Sequence, residues 1–259
     1  VTQRHHAPFQ DAGRAAPLAG LHIEAGGYSV SVADGRLVEQ AQRLRHDAFA
    51  AEYGTGLPTF ANGLDADAYD ACSDHLVVRH DASDTVVGTY RMMTADCAAQ
   101  VGGRYGERTF DLSELRGLDA GLVETGRAAV HAEHRNGAVV GLMWAGIAQY
   151  LRLTGYQWLG GCAWVAPDSA AGIWAAVRDK HLSPAGFRVE PRHPALRPGH
   201  EQTPPATVPP LLRGYLRLGS WICGEPAYDV ESGVATFYVL LSVERMNPRY
   251  RRHFFGITE

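Results

Sequence analysis

Apolar and polar positions alternate over Tyr28–Val32, the period-two pattern of a half-buried strand. From Leu37 to Tyr53 the period lengthens: Leu37, Ala41, Leu44, Ala48 and Phe49 recur at helical spacing, and Gly54 ends the run. A polar, acidic loop, Leu64–Asp74, comes next. Two β-rich runs, His75–Arg79 and Val86–Met93, flank the turn-forming Asp81–Asp84 and predict an antiparallel hairpin. Ala95–Gly106 is ambiguous, a short helix running out into glycines. Leu122–His131 predicts a strand, Gly137–Leu153 a strongly patterned helix closed by Gly155, Trp158–Trp164 a strand and Ser169–Lys180 a helix. Residues 184–210 are rich in Pro, Arg and His and predict a long excursion, after which Pro210 opens a short helix through Leu218. Val234–Val243 is a β-branched and aromatic strand, and Pro248–Phe255 a terminal helix or arm.

Strands and helices are interleaved, and the early hairpin makes the sheet mixed rather than wholly parallel. The expected architecture is α/β, a mixed and mostly antiparallel central sheet flanked by helices. Residues 1–20, small and polar, read as a flexible tail, and 21–259 as a single domain with the excursion at 184–210. There is no internal repeat.

Composition narrows the function. The 259 residues are 46% hydrophobic and 20% charged, enough for a sizeable core without staples. A net charge of −4 argues against bulk nucleic-acid binding. No apolar run is long enough to span a membrane, and the N-terminus lacks a signal-peptide core, so a cytoplasmic protein is expected. Cys72, Cys97, Cys162 and Cys223 lie far apart without CxxC spacing, which argues against a zinc site and against a disulfide framework. Lys180 is the one lysine and sits in an ordinary polar stretch, so Schiff-base chemistry is discounted.

The G-x-S-x-G elbow, the phosphate loop G-x-x-x-x-G-K-[ST], H-E-x-x-H and a G-x-G-x-x-G after a strand are all absent. His6 and Asp11 have the H-x4-D spacing of glycerolipid acyltransferases, but in a tail with no fold before it. His131 and His134 read as polar residues at a strand-to-helix turn more readily than as metal ligands. No metal is expected.

The informative segment is Leu122-Val-Glu-Thr-Gly-Arg-Ala-Ala-Val-His131. Alternation sends Glu124 and Arg127 to opposite faces, and a bulge near Gly126 would bring both to one cleft. Two charges in an apolar strand are costly to bury unless paired. They are either a buried ion pair tying the strand to its neighbours, or a carboxylate that takes a proton from an amine beside an arginine that orients substrate.

Val123-Glu-Thr-Gly-Arg127, Arg135-Asn-Gly137 and Leu142-Met-Trp-Ala-Gly146 resemble the ornithine-lipid N-acyltransferases, a hemolysin-labelled branch of the GCN5-related N-acyltransferase (GNAT) superfamily. So do Arg45-His-Asp-Ala-Phe49, Asp65-Ala-Asp-Ala-Tyr-Asp70 with Cys72-Ser-Asp-His-Leu76, Gly88-Thr-Tyr-Arg91, Phe110-Asp-Leu112 and Pro209 to Gly219. The blocks keep the family's order from about residue 28 to 255. A more distant resemblance is to the acyl-homoserine lactone synthases. No pore-forming feature accompanies the hemolysin label.

The resemblance implies transfer of a long-chain, 3-hydroxylated or plain, acyl group from a phosphopantetheine thioester to the α-amine of ornithine or a similar amino acid. No cofactor is expected to be tightly bound; the donor is acyl carrier protein or acyl coenzyme A. Alternatives are another amine acceptor, or an inactive acyl-carrier or lipid-binding protein. Glu124 is the expected proton acceptor, with Arg127 beside it and amides around Gly126–Val130 as oxyanion donors. Arg45, Asp67, Asp70 and Arg91 are expected in the cleft. Arg45 or Arg91 would hold an acceptor carboxylate, and Asp67, Asp70 or Asp74 a cationic side chain. Val130, His131, Arg135, Asn136 and Gly137 would hold donor phosphate at a helix N-terminus, although the glycines are displaced from the superfamily's pyrophosphate pattern. Arg188, Arg192 and Arg197, with Arg249, Arg251 and Arg252, are candidates for steering acidic acyl carrier protein. Trp221, Phe254 and Phe255 are candidates for a peripheral contact at the inner membrane face.

Overall fold

A computed structural model describes residues 18–54, 56–200 and 203–256. Along the chain run β1 (His22–Ala25), β2 (Tyr28–Val32), α1 (Gly35–Tyr53), β3 (Phe60–Ala61), β4 (Leu64–Asp65), β5 (Asp74–His80), β6 (Thr85–Met93) and α2 (Ala95–Val101). Then come β7 (Phe110–Asp111), β8 (Leu122–Val130), α3 (Gly137–Thr154), β9 (Trp158–Val165), α4 (Ala170–His181) and β10 (Glu190–Pro191). Last are α5 (Pro210–Leu218), β11 (Trp221–Ile222), β12 (Ala227–Asp229), β13 (Val234–Ser242) and α6 (Pro248–Phe255). One sheet is ordered β1-β2-β5-β6-β8-β9-β13-β11, and β12 also pairs β13. Its strand pairs are antiparallel except β8 with β9, which α3 joins as a crossover.

Each helix lies where its apolar stripe meets one face of the sheet. α1 is capped by the Asp34 carboxylate, which accepts from the Leu37 amide, and it buries Ala41, Leu44, Arg45 and Phe49. These pack with Val77, Val86, Ala129 and Trp164 on one face. α3 is capped by Asn136 and stopped by left-handed Gly155. Its Val139, Leu142, Met143 and Ile147 meet Leu76, Val78, Tyr90 and Val123 on the other face, joined there by α4, α5 and α6. A Cβ on Gly146 would stand 2.7 Å from Val30, so the small residue lets α3 settle onto β2.

The predicted elements are present with shifted ends, and the sheet is mixed and mostly antiparallel as expected. Several details differ. The tail was drawn to residue 20, but Leu18–Gly20 form a 3-10 turn with Leu18 buried in the core, and β1 adds an edge strand. His6 and Asp11 lie outside the described residues. The acidic loop begins with β4, which pairs with β3 just before it. The excursion pairs β10 with β7 and buries Val189. Cys72 and Cys97, 25 residues apart, form a disulfide with Cα atoms 5.0 Å apart, against the expectation from spacing. The tertiary fold supplies that proximity by laying the first turn of α2 over the loop after β4. Trp221 lies tilted against Phe187 and faces Arg245, while Phe254 and Phe255 pack against the core.

Candidate active site

The sheet opens at its centre. The β8–β9 ladder holds only where Leu122–Glu124 face Trp158–Gly160, and β8 has no β9 partner beyond that point. On its other side β8 carries a bulge. Thr89 pairs with Ala129 and Arg91 with Gly126, so Arg127 and Ala128 together oppose Tyr90. Arg127 adopts φ +52°, a left-handed conformation that costs a non-glycine residue about 1 kcal/mol or more. The extra residue resets the alternation, and Glu124 and Arg127 end on the same face. A cleft of about 190 Å³ passes through the gap and is lined from both faces of the sheet.

On the α1 face, Glu124 is buried at 4% exposure, and its Oε1 accepts from the Gly106 amide at 2.6 Å. Its Oε2 has no hydrogen-bond partner among the described residues. Burial raises its carboxyl from the ordinary 4.5 to about 7, against the opposing pull of Arg104, the Gly106 amide and Arg91. The value suits a group that must accept a proton near neutral pH.

Beside it three arginines meet three aspartates. Arg45 donates to Asp65 at 2.9 Å and to Asp70 at 2.7 Å. Arg91 donates to Asp67 at 2.5 Å and Asp70 at 3.1 Å. Arg127 donates to Asp67 at 3.1 Å and lies 3.3 Å from Asp65. Burial would raise the Asp70 carboxyl, but Arg45 and Arg91 override it and hold it at about 2. Arg127 also rests against the rings of Phe49, Tyr105 and Trp164.

The α3 face of the cleft is largely apolar, with Trp144, Leu159, Leu211, Val239 and Leu241. Within it the hydroxyls of Tyr90 and Tyr215 lie 2.7 Å apart, while the Thr125 hydroxyl donates to the Gly160 carbonyl at 3.1 Å. One O–H of the tyrosine pair is used between them, which leaves one donor over. Burial raises both phenols, so both stay protonated at neutral pH.

The curated relatives decide the family. An L-ornithine N(alpha)-acyltransferase of Rhodobacter capsulatus is 30% identical over 245 residues, covering 88% of this chain and 94% of that protein. The chain belongs to the L-ornithine N(alpha)-acyltransferase family. The enzyme of the same description from Rhizobium meliloti is 28% identical over 84% of this chain and 80% of its own. Residues 44–145 match the family model described as an acetyltransferase (GNAT) domain. The fold is like that of the acyl-homoserine lactone synthase LasI, with a TM-score of 0.52 at 13% identity over 90% of this chain and 98% of that one. It is also like that of FeeM, an N-acyl amino acid synthase from uncultured soil microbes, with a TM-score of 0.51 at 13% identity over 84% and 91%. The protein is thus an acyltransferase of the GNAT class, and its acyl donor is a thioester.

Of the residues expected in this acyltransferase's cleft, Glu124, Arg127 and Arg91 line it. Glu124 and Arg127 are not each other's partner; Arg127 turns to the aspartates. Arg45 is wholly buried, engaged by Asp65 and Asp70, and absent from the cleft lining, so it is out of reach of an acceptor carboxylate. Asp67 and Asp70 are taken up by arginines and lie behind the lining rather than in it. Asp74 accepts from the Tyr150 hydroxyl at 2.7 Å, away from the cleft. At the α3 N-terminus the Asn136 side chain accepts from the amides of Ala138 and Val139, so two first-turn amides next to the expected phosphate-binding residues are occupied. His131 caps its own turn, and Arg135 donates to the Val130 carbonyl. Residues not singled out in the sequence also line the cleft, notably Glu52, Tyr53, Tyr105 and Trp164. For the first two a signal existed, since Phe49, Glu52 and Tyr53 share the helical face of Arg45.

Proposed function

We propose that the enzyme moves a long-chain acyl group from the phosphopantetheine thioester of acyl carrier protein to the α-amine of ornithine. The observation that carries this is the end-to-end likeness to the Rhodobacter capsulatus enzyme, 94% of which is covered. The geometry supports it. The α3 face takes the donor, its apolar wall receiving the acyl chain and the α3 N-terminus lying toward the phosphate. Because the Asn136 cap already uses two amides there, a single phosphate fits better than a pyrophosphate, which favours the carrier protein over coenzyme A.

The acceptor enters on the α1 face. Its α-carboxylate meets the cleft edge of Arg127, and its neutral amine attacks the thioester carbonyl through the gap between β8 and β9. Glu124 takes the amine proton as the new C–N bond forms. Amides of the Arg127–Ala128 bulge stabilise the oxyanion. The intermediate collapses with loss of the thiolate, which is protonated by the spare hydroxyl of the Tyr90–Tyr215 pair.

The test is incubation with acyl thioesters of carrier protein and of coenzyme A, together with a pool of amino acids, followed by mass spectrometry. Acyl-ornithine that disappears with Glu124→Gln is the expected result. No acylated amine from either donor overturns the reading, and product from acyl coenzyme A alone overturns the carrier-protein assignment.

A further inference from the structure

The acceptor side of the cleft holds a carboxylate that the chemistry above does not use. Two carboxylate side chains line the cleft, Glu124 and Glu52. Glu124 is the base. The acids behind the lining, Asp65, Asp67 and Asp70, are matched by Arg45, Arg91 and Arg127. Glu52 is exposed near the end of α1, and no arginine, lysine or histidine among the described residues pairs with it.

Three aromatic rings share this part of the cleft lining. Tyr53 and Trp164 meet edge to face at 5.3 Å between centroids, Phe49 and Trp164 are tilted at 6.0 Å, and Phe49 and Tyr53 meet edge to face at 6.3 Å. All three line the cleft. The rings are mutually inclined, so they form a corner rather than a stack. Their electron-rich faces attract a cation, and a carboxylate at the rim completes such a site. Tyr53 follows Glu52 on the last turn of α1, and partial burial together with the neighbouring Glu52 charge raises its phenol. Arg127 approaches Phe49 and Trp164 from the protein side, its side chain only 6% exposed and its charge balanced by Asp65 and Asp67.

We infer that Phe49, Glu52, Tyr53 and Trp164 form a side-chain pocket selecting an acceptor amino acid with a distal ammonium group, with Glu52 as the ionic partner. This rests on the α1 face being the acceptor side. The three charges of a diamino acid then have three addresses: the carboxylate at Arg127, the reacting amine at Glu124 and the distal ammonium at Glu52. The two amines are told apart because Glu124, near neutrality, accepts a proton, whereas the box around Glu52 favours a group that keeps its own.

The test compares ornithine with norvaline, which has the same carbon chain without the distal amine. Acyl transfer and calorimetric binding are measured for wild type, Glu52→Gln and Tyr53→Phe. Wild type should prefer ornithine. In Glu52→Gln the ornithine-to-norvaline ratio of kcat/KM should fall roughly 10- to 100-fold, carried by KM. Tyr53→Phe, which keeps the ring and removes only the hydroxyl beside the carboxylate, should give a smaller fall. An unchanged ratio, or parallel losses on both amino acids, overturns the inference while leaving acyl transfer standing. If wild type acylates no amino acid, the proposed function fails, and binding decides the pocket. Ornithine binding weakened about tenfold or more relative to norvaline in Glu52→Gln supports it, and equal binding overturns it.

Discussion

The role proposed for Glu124 comes at a cost in stability, and that cost has a definite sign. Its carboxyl sits near 7 in the fold and near 4.5 when freed. Below about 4.5 it is protonated in both states and contributes no pH dependence. Between 4.5 and 7 the folded form keeps a proton that the unfolded form has lost, so stability falls as pH rises. Above 7 the loss levels off at about 3 kcal/mol. Glu124→Gln should therefore lose at least about 100-fold in kcat, yet melt higher than wild type, with a gap that opens between pH 4.5 and 7 and then stays constant. Wild-type kcat/KM should rise through an apparent pKa near 7. Calorimetric melts of both proteins across that range check the first statement, and a pH–rate profile the second; a gap that does not vary with pH would sink the account. Arg45 behaves oppositely. Arg45→Met strips a wholly buried partner from Asp65 and Asp70, and unfolding in urea should show a loss of about 3–5 kcal/mol.

At the scale of elements, β8 and β9 make the site by failing to stay paired. Gly161 stands just past their last paired residues, and a Cβ there would come within 2.3 Å of the Thr125 carbonyl. Gly161→Ala must push the strands apart or shift Glu124's strand. We expect a loss of about 1–3 kcal/mol in urea unfolding and a fall in kcat/KM; a variant as stable and active as wild type would show that the close approach is unimportant. Much of this was legible. Charges inside an apolar run marked Glu124 and Arg127, and a glycine between them suggested the bulge that joins their faces. The arginine partners of the aspartates were not legible, for a physical reason. A polar loop looks solvated when nothing local shows that arginines from α1, β6 and β8 converge on it. Glu52 carried no mark of its own, because the Trp164 ring that shares its cleft comes from a strand more than a hundred residues later. The Cys72–Cys97 bridge was hidden in the same way, since sequence separation carries no information about how α2 folds back.

For the whole molecule, the sheet is a partition with one opening. In the proposed mechanism donor and acceptor reach that opening from opposite faces, so neither has to leave before the other arrives. A covalent acyl-enzyme would need a nucleophile in the gap, and the one candidate thiol lining the cleft is poorly suited. Burial, reinforced by the charge of Glu124, pushes the Cys162 thiol up to about 12, leaving almost no thiolate at neutral pH. The expected kinetics are therefore sequential. Double-reciprocal plots against acceptor at several donor concentrations should intersect, and no burst of free thiol should precede turnover. Mass spectrometry of the protein after donor alone should show unmodified mass. Parallel lines, or a mass increase equal to one acyl group, would mean that acylation of the protein comes first, and would remove the reason for a cleft that opens on both faces at once.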